Sequence, residues 1–592
     1  MRVSRLISLG AVFSIPVAAL AVVPAFADSS PATWSELKTA FSSVTSGNSS
    51  VVTLSANIDD SDTDGLSVLA GATITLNLNG HVLTIDQSAQ AGIAVPHTAT
   101  LNIEDLAGSG VLNATGANEN AGIGAPSATS GGAITINSGT VNATGGGDAT
   151  GIGGGGGGGG ANGGTVTING GTVTATGGYA AAAIGSGNQA PESFPVSITG
   201  GTVTANGGDY AAGIGGGYLA YGGQIVISGG AVTANGGKEG AGIGDGQAAA
   251  VDANNSNHPG LVTISGSSTV VNATGGNDGG AAIGGGANAA DTSSVAITGG
   301  TITATAVETD PSDDSTGAAI GSGYGGGATG TVTISGGAVT ATGAAQNGQG
   351  AGIGGGSSAY MPYIVISGGT VTATGGQYGS GIGMGSWGFG PGLATGSDTD
   401  NPAVITLSGG TIVATGGEGG AGIGGANSVA ADVVSMAVTG CPTITAAGGD
   451  SVEAGGGSGL GAGGYNSDPH NAAPTVSIAG TPTADSSTTG GAGADGDTGN
   501  DAGAIGGAAS ALTFDTTKAF VVKVVSTNGV SQGQAGTFAL TCSASSGGGG
   551  SEVADSDELA STGVNPATPI GAAILLLLAG AGVWLIRRRV TA

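Results

Sequence analysis

Charged and aromatic side chains are scarce in this chain. Aromatic residues make up 3% and charged residues 8% of the sequence, too few for an ordinary globular domain or for a charged disordered one. Glycine supplies 130 of the 592 residues but does not recur at every third position, which excludes collagen. The four histidines and two cysteines have no metal-ligand spacing.

Basic residues are the rarest charged groups. All 38 acidic residues lie between residues 28 and 558, and the basic residues of that span are four lysines: Lys38, Lys238, Lys518 and Lys523. Four lysines against 38 acids give this span a net charge of −34, which excludes nucleic acid as a partner. We interpret the acidic excess as a means of keeping a glycine-rich surface soluble.

A repeat of about 30 residues organises the sequence. Each copy holds an A-x-I-G element, an alternating V-T-I-S element and a T-V-T-A-T-G-G element, as in residues 212–237. The isoleucine of the first element recurs, with Leu460 in one copy, at Ile93, Ile123, Ile152, Ile184, Ile214, Ile243, Ile283, Ile320, Ile353, Ile382, Ile423 and Ile505. Three short strand-like elements at this period are typical of stacked coils.

Alternation within the elements predicts the core. In residues 172–176, Val173 and Ala175 face one side of a strand and the threonines face the other. The pairs Gly170-Gly171 and Gly177-Gly178 are expected at corners, where a positive φ costs glycine little. We predict an all-β parallel solenoid of about a dozen three-strand coils, on the order of 60 Å long at roughly 4.8 Å per coil.

The N-terminal segment has the features of a secretory signal. Arg2 and Arg5 form a charged start, residues 6–23 are largely apolar, and Ala25-Phe26-Ala27 is an A-x-A cleavage site. We therefore expect residues 1–27 to be a signal peptide that is removed on export. A membrane anchor at this end is the alternative.

One helix is predicted over residues 34–44, directly after this segment. Thr33 and Glu36 form a T-x-x-E capping box. Four apolar residues share one face of the helix: Trp34, Leu37, Phe41 and Val44. The helix is expected to cover the first open edge of the coils, and residues 51–85 are expected to form the first, irregular coils.

This N-terminal region resembles a known fold family. The helix pattern W-x-E-L-x-x-A-F, followed by TLSANI and ITLNLNGHVLTI, is similar to the entry cap of pectin-lyase-like parallel β-helix proteins. The repeats resemble those of large cell-surface proteins of Gram-positive bacteria. The resemblance covers roughly residues 31–507, and it implies a right-handed parallel β-helix with an N-terminal capping helix.

The C-terminal segment resembles a sortase sorting signal. The pentapeptide Leu559-Ala560-Ser561-Thr562-Gly563 precedes an apolar run over residues 570–586 and three arginines. The apolar run is expected to span the membrane while the arginines stay cytoplasmic. The resemblance implies that a sortase cleaves between Thr562 and Gly563 and joins the threonine to a cell-wall amine. Ala560 stands where the commoner motif has proline, as in the L-A-x-T-G variants of high-GC Gram-positive bacteria. The alternative to a sorting signal is a membrane anchor that crosses the bilayer once and is not cleaved.

These features predict six regions. They are a signal peptide (1–27), an N-terminal cap with the first coils (28–90), Gly-rich β-helix repeats (91–507), a C-terminal β cap (508–542), a Gly/Ser and acidic linker (543–558) and the sorting signal (559–592). Cys441 and Cys542 pair if the C-terminal cap folds back onto the last coils, and stay unpaired otherwise.

Length variation concentrates at one corner of the repeat, between the A-x-I-G and V-T-I elements. The longer copies are residues 186–195, 246–260 and 385–402. Insertions on one side of a solenoid are where a binding function is expected. Aromatic residues near the corners are the candidate ligand-binding residues: Tyr179, Tyr210, Tyr378, Trp387 and Phe389. Their rings suit stacking on sugars, and packing against neighbouring loops is the alternative.

Acidic clusters suggest weak calcium sites. Asp60, Asp62 and Asp64 form D-x-D-x-D-G, the first half of a calcium loop. The acidic ligand expected later falls at Gly71, so an exposed acidic turn is the preferred interpretation and no cofactor is predicted. A second acidic group consists of Asp495, Asp497 and Asp501. It too could be a weak calcium site or an exposed acidic turn.

Enzymatic activity is the main alternative, because pectin-lyase-like folds also host polysaccharide lyases and hydrolases. The lyases resembled here use an arginine or lysine base, but no arginine occurs between Arg5 and Arg587. Hydrolases need clustered carboxylates, whereas the outward strand positions carry Thr, Ser and Asn. A minor alternative is an ice-binding face of outward threonines, which would be formed by the pairs Thr172/Thr174, Thr202/Thr204, Thr301/Thr303 and Thr370/Thr372. Threonine is common in solvated strands for other reasons, because it is a good strand former.

Together these observations predict a non-catalytic surface rod that serves as an adhesin or a structural component of the cell surface. We expect it to be exported and covalently attached to the cell wall after a membrane-spanning intermediate. Its expected partners are a sortase, peptidoglycan, and a host or environmental glycan or protein bound by the variable corner.

Overall fold

A computed structural model of the chain shows strands stacked in parallel coils. The structure describes residues 28–60, 63–157, 164–190, 195–249, 260–308, 314–327, 330–388, 403–427, 434–438, 442–449, 459–461, 476–478, 481–482, 513–514, 519–525 and 537–541. Among these residues, the short third strands of the coils form one 13-stranded parallel sheet. About a dozen coils were predicted, and thirteen lie in the described part.

Each coil has a first, a second and a third strand. The first strands are β1 (Ser49–Thr53), β4 (Thr73–Asn77), β7 (Thr100–Glu104), β10 (Ala133–Ile136), β13 (Thr165–Ile168), β16 (Val196–Ile198), β19 (Gln224–Ile227), β22 (Leu261–Ile264), β25 (Ser294–Ile297), β28 (Thr331–Ile334) and β35 (Val434–Val438). The second strands are β2 (Ile58–Asp59), β5 (Val82–Asp86), β8 (Val111–Thr115), β11 (Thr140–Thr144), β14 (Thr172–Thr176), β17 (Thr202–Asn206), β20 (Ala231–Asn235), β23 (Val270–Thr274), β26 (Thr301–Thr305), β29 (Ala338–Thr342) and β36 (Thr443–Gly449). First and second strands are continuous in β31 (Tyr363–Thr374) and β33 (Ala403–Glu418).

The third strands are only two residues long. They are β3 (Leu66–Ser67), β6 (Ile93–Ala94), β9 (Ile123–Gly124), β12 (Ile152–Gly153), β15 (Ile184–Gly185), β18 (Ile214–Gly215), β21 (Ile243–Gly244), β24 (Ile283–Gly284), β27 (Ile320–Gly321), β30 (Ile353–Gly354), β32 (Ile382–Gly383), β34 (Ile423–Gly424) and β37 (Leu460–Gly461).

The core follows the alternation of the sequence. In β14, Val173 and Ala175 are buried whereas Thr172 is exposed. Ile214 of β18 and Ile243 of β21 are both fully buried. Each coil therefore contributes an aliphatic side chain from every strand to a narrow central core, as predicted.

Successive coils pair in register. Val173 of β14 lies opposite Val203 of β17, and Ile214 lies opposite Ile243. A slip of one residue would turn the apolar side chains outward, so burial of one strand face enforces this register. The register also aligns outward polar side chains, and the side-chain amide of Asn142 donates to that of Asn113 at 2.9 Å.

Corner glycines are required for two different reasons. Gly171 has a φ of +84°, as expected for a corner. The same expectation is wrong for Gly170, Gly177 and Gly178, which lie outside the left-handed region. A Cβ atom on Gly178 would lie 1.8 Å from the carbonyl oxygen of Gly146 in the preceding coil. Glycine is needed there because the backbones of successive coils touch.

The predicted helix caps the N-terminal end. Helix α1 (Trp34–Ser43) packs against β1 and β3. The Thr33 hydroxyl accepts a hydrogen bond from the Glu36 N–H at 3.3 Å, and the Glu36 carboxylate accepts one from the Ala32 N–H at 2.9 Å. The four residues of the predicted apolar face are buried: Trp34, Leu37, Phe41 and Val44.

The free edge of β1 is also paired by the segment that precedes the helix. The Ser29 N–H donates to the Val51 carbonyl at 3.1 Å, and the Thr53 N–H donates to the Ser29 carbonyl at 2.9 Å. Helix and extended segment together cover the first coil, so the edge does not offer a row of unpaired backbone groups.

At the other end, the described strands include antiparallel pairs. These strands are β38 (Val476–Ile478), β39 (Thr481–Pro482), β40 (Thr513–Phe514), β41 (Ala519–Val525) and β42 (Thr537–Thr541). Strand β42 pairs antiparallel with β36, where Leu540 lies opposite Ile444, and antiparallel with β41. The chain thus folds back onto the last coil, as a disulfide between Cys441 and Cys542 would require. Both cysteines lie outside the described residues, so their pairing stays a prediction.

We expect Gly237→Ala to destabilise the stack more than Gly108→Ala. A Cβ atom at Gly237 would lie 1.6 Å from the Gly208 carbonyl oxygen, so neighbouring coils must separate, at a cost of about 3 kcal/mol. Gly108 has a φ of +88° but open space around it, so its alanine variant should lose only about 1–2 kcal/mol. Hydrogen exchange at the amide of Ile243 for Gly237→Ala, and at the amide of Ile123 for Gly108→Ala, measures the local loss in the coil that carries each substitution. Equal loss of protection in the two variants would contradict close stacking.

Candidate binding surface on the corner loops

The loops on either side of each third strand lie next to one another, because that strand is only two residues long. We call the surface formed by these paired loops the corner face. Residues eight positions apart meet across it: the Ser127 hydroxyl donates to the Glu119 carboxylate at 2.8 Å, and the Tyr210 and Tyr218 rings lie 5.6 Å apart. The corner face therefore combines side chains from two loops of each coil.

Charge is concentrated on the corner face. Between residues 111 and 449, every charged residue that the structure describes lies in a loop flanking a third strand or, for Glu418, at the end of β33 just before β34. These residues are Glu119, Asp148, Asp209, Lys238, Glu239, Asp245, Asp278, Asp291, Glu308, Asp314 and Glu418.

A turn on the corner face holds one residue with a positive φ in each of ten coils. It is the fifth residue after the core isoleucine, and the ten residues are Thr98, Ala128, Gly157, Gln189, Leu219, Ala248, Asn288, Gly325, Ser358 and Trp387, with φ between 50° and 94°. Its N–H donates to the next coil, as from Leu219 to the Gln247 carbonyl at 2.9 Å. Sequence reasoning missed this turn, because its residues share no type.

Tyrosines from two neighbouring coils form a cluster on the corner face. The Tyr179 and Tyr210 rings lie 5.0 Å apart at an interplanar angle of 90°, and the Tyr179 hydroxyl donates to the Tyr210 hydroxyl at 2.9 Å. Tyr218, from the loop after the third strand, packs on Tyr210. Tyr179 is 56% exposed, so the cluster presents an aromatic surface to solvent. We call these three residues the tyrosine cluster.

An ion pair lies beside the tyrosine cluster. Lys238 Nζ is 2.6 Å from Asp278 Oδ2, and this hydrogen bond raises the pKa of Lys238. The hydrogen bond with Tyr210 raises the pKa of Tyr179. The neighbourhood thus combines the aromatic rings of the cluster with the ion pair of Lys238 and Asp278.

The five aromatic residues predicted from the sequence do not form one site. Tyr179 and Tyr210 come together, as their shared corner suggested. Tyr378 lies five coils further along, and its hydroxyl accepts from the Gln377 side chain at 3.2 Å. Trp387 is 58% exposed with a φ of +56°, an uncommon conformation for a bulky residue. Phe389 lies outside the described residues.

The acidic loop at residues 60–64 has structural contacts. Asp60 Oδ2 accepts from the Asp86 N–H and from the Gln87 side chain, both at 2.8 Å. The Asp64 carboxylate lies 4.0 Å from Lys38 Nζ. Asp62, like the acidic group of residues 495–501, lies outside the described residues. Within the described part of the chain, no group of three histidine, cysteine or acidic residues is placed to hold a metal ion.

Asp245 is a buried carboxyl group that sequence reasoning missed. Its side chain is fully buried, and it accepts hydrogen bonds from the Gly222 N–H at 2.8 Å, the Ser293 N–H at 2.7 Å and the Ser293 hydroxyl at 2.6 Å. It thereby joins the corner loops of three successive coils. Burial raises the pKa of Asp245 to about 6, although the hydrogen bonds act in the opposite direction. The available signal was its position, which is small or apolar in the other described coils.

Parallel coils stacked around an aliphatic core define this molecule as a parallel β-helix. Nine segments match the family model described as a beta helix repeat: residues 134–156, 166–188, 196–218, 225–247, 262–287, 295–324, 332–357, 364–386 and 405–427. Each segment begins in a first strand and ends in the corner turn after a third strand. Comparisons with curated proteins and with solved structures find no match. No helix in the described ranges is both long and apolar enough to cross a membrane.

The buried Asp245 carboxyl predicts a pH-dependent stability. Because its folded-state pKa is raised to about 6, the folded protein takes up a proton before the unfolded chain does as the pH falls. The stabilisation is complete below the unfolded pKa and is lost as the pH rises through 6. We expect the difference in unfolding free energy between the unaltered protein and Asp245→Asn to grow by about 2–3 kcal/mol from pH 7 to pH 4.

Chemical unfolding of both proteins at a series of pH values measures this difference. Asp209→Asn, on an exposed loop of the corner face, is the matched control and should track the unaltered protein. A constant difference for Asp245→Asn across the series would contradict the buried, protonated carboxyl.

Proposed function

We propose that this chain is an exported, non-catalytic surface protein, a right-handed β-helix rod that is anchored to the cell wall and presents its corner face to ligands. The observation that carries the proposal is the difference in composition between the strands and the corner loops of a coil. Between residues 111 and 449, the described strands repeat the same aliphatic and threonine pattern, while the described charges, the exposed aromatic rings and the length variation occur on the corner face. Recognition surfaces are expected where a rigid scaffold leaves side chains free to vary.

Attachment to the cell wall is supported by both ends of the sequence. The signal peptide of residues 1–27 supplies export, and the pentapeptide of residues 559–563 precedes an apolar run and three arginines. Both segments lie outside the described residues. A Gly/Ser and acidic linker, residues 543–558, precedes this pentapeptide in the sequence.

We expect Thr562→Ala to move the protein from the cell-wall fraction to the membrane or the medium. The substitution removes the residue whose carboxyl group a sortase would transfer, whereas Ser561→Ala changes only the variable position of the pentapeptide and should leave wall linkage intact. Fractionation of cells after wall digestion, followed by detection of the protein, measures the difference. Unchanged wall linkage of Thr562→Ala would refute sortase anchoring.

The tyrosine cluster is the part of the corner face best suited to a ligand. Its exposed ring suits the apolar face of a sugar or an aromatic or aliphatic side chain, and the adjacent Lys238–Asp278 pair offers both a hydrogen-bond donor and an acceptor. The acidic surroundings disfavour anionic ligands. We therefore propose an uncharged glycan or a protein segment as the ligand of this face.

A non-catalytic function is supported by the placement of the buried carboxyl. Asp245, which has its pKa raised to about 6 as a general acid would require, is fully buried. Its oxygens already accept three hydrogen bonds from neighbouring coils. A polysaccharide chain on the surface could not reach this group without opening the corner.

We expect Tyr179→Ala with Tyr210→Ala to weaken ligand binding by about three- to tenfold per ring. Tyr363→Ala removes an aromatic ring from the outward face of a first strand and is the matched control. Binding is measured on an array of glycans and matrix proteins, and the same preparation is assayed for release of unsaturated or reducing sugars with and without calcium. Robust sugar release would contradict the proposal. So would equal binding by the unaltered protein, the Tyr179→Ala/Tyr210→Ala variant and the Tyr363→Ala variant.

A further inference from the structure

Two phenol groups from neighbouring coils touch in the tyrosine cluster. The Tyr179 hydroxyl donates to the Tyr210 hydroxyl at 2.9 Å, and the two ring centroids lie 5.0 Å apart. The two residues are 31 positions apart in the sequence and precede the third strands of successive coils, β15 and β18. Stacking of the coils therefore holds in direct contact two phenols that the unfolded chain keeps apart.

The pair is accessible from solvent. Tyr179 is 56% exposed and Tyr210 is partly exposed. In each ring, two Cε carbons flank the carbon that carries the hydroxyl group, so the hydrogen bond between the hydroxyls brings the Cε edges of the two rings close together. Exposed side chains rotate within nanoseconds, and a small rotation brings a Cε carbon of one ring against a Cε carbon of the other.

Few other side chains compete for an oxidant that reaches this surface. The sequence contains 2 cysteines, 4 methionines and 3 tryptophans. Met361, Met384 and Met436 are buried, and so is Trp34. Trp387 is exposed, but its coil is five coils further along than that of Tyr210. In the part of the chain that the structure describes, an oxidant in solution therefore meets mainly the exposed tyrosines and Trp387.

We propose that Tyr179 and Tyr210 form a dityrosine cross-link when the protein meets a one-electron oxidant driven by peroxide, such as a haem peroxidase with hydrogen peroxide. The oxidant removes one electron from each phenol, and each hydroxyl group loses its proton. The two phenoxyl radicals join through their Cε carbons, and the hydrogen of each joined carbon then moves to the oxygen of its own ring. The pair loses two electrons and two protons in total, which reduce one hydrogen peroxide to two waters.

The geometry favours this pair over other couplings. A second chain must be met by diffusion, whereas a ring already in contact has a far higher effective concentration. Tyr218 also packs on Tyr210, with ring centroids 5.6 Å apart, but the hydrogen bond between hydroxyls joins Tyr179 to Tyr210. The new bond closes a loop of 31 residues and fastens two successive coils, which restricts the unfolded chain. It requires no ligand and is independent of the binding function proposed above.

Oxidation of the purified full chain tests the proposal. The protein, dilute in a mild detergent, is treated with a haem peroxidase and hydrogen peroxide. Dityrosine fluorescence gives the yield, and mass spectrometry of proteolytic fragments identifies joined peptides by the loss of two hydrogen atoms. We expect the principal cross-link to join Tyr179 and Tyr210 within one chain. Tyr179→Phe keeps the ring but not the phenol, and it should lower the dityrosine yield about tenfold.

Tyr363→Phe is the matched control, because it removes a phenol from the outward face of a first strand and should leave the yield unchanged. Thermal unfolding must agree between the two variants. If Tyr179→Phe fails to fold, the fragment map of the unaltered chain decides by itself. A principal cross-link between two chains or between another pair of tyrosines, an unchanged yield in folded Tyr179→Phe, or the absence of dityrosine would each overturn the proposal.

Discussion

Close stacking of backbone on backbone is the constraint on which this β-helix depends. Each coil completes its hydrogen bonds only through the coils above and below it, and at the corners their carbonyl oxygens leave no room for a Cβ atom, as Gly178 and Gly237 show. A side chain added at such a position would separate two coils and expose the core of both. Close stacking is thus one of the two reasons for the abundance of glycine, and the positive φ of corner residues such as Gly171 is the other.

The same constraint separates the regular strands of a coil from its variable loops. The strands must keep an alternating aliphatic pattern, because a slip in register would expose the core. The loops that flank the third strands have no such restriction, and they hold the tyrosine cluster, the exposed Trp387 and the described charges of the middle and late coils. Variation in side-chain type is therefore concentrated on the corner face of these coils.

Asp245 shows how far the corner loops depend on one another. Its carboxyl group takes hydrogen bonds from residues of the preceding and the following coil, so a single titratable group joins three loops. Most other coils place glycine, alanine or serine at the same position. The corner face is thus both the variable part of the described coils and a place where hydrogen bonds between coils reinforce the stack.

The alternating pattern and the spacing of isoleucines were sufficient to predict stacked parallel coils, the buried residues of each strand and the capping helix, because these follow from local periodicity and burial. Tertiary structure alone decided which corner residues meet. Tyr218 joins Tyr179 and Tyr210 although it lies on the far side of a third strand, whereas Tyr378, which shares their corner, is five coils away. Likewise, Asp245 contacts Gly222 and Ser293, which belong to neighbouring coils distant in sequence. Local pattern determines which way a side chain faces within a strand, but the neighbours of a loop are set by the stacking of coils, which no single repeat contains.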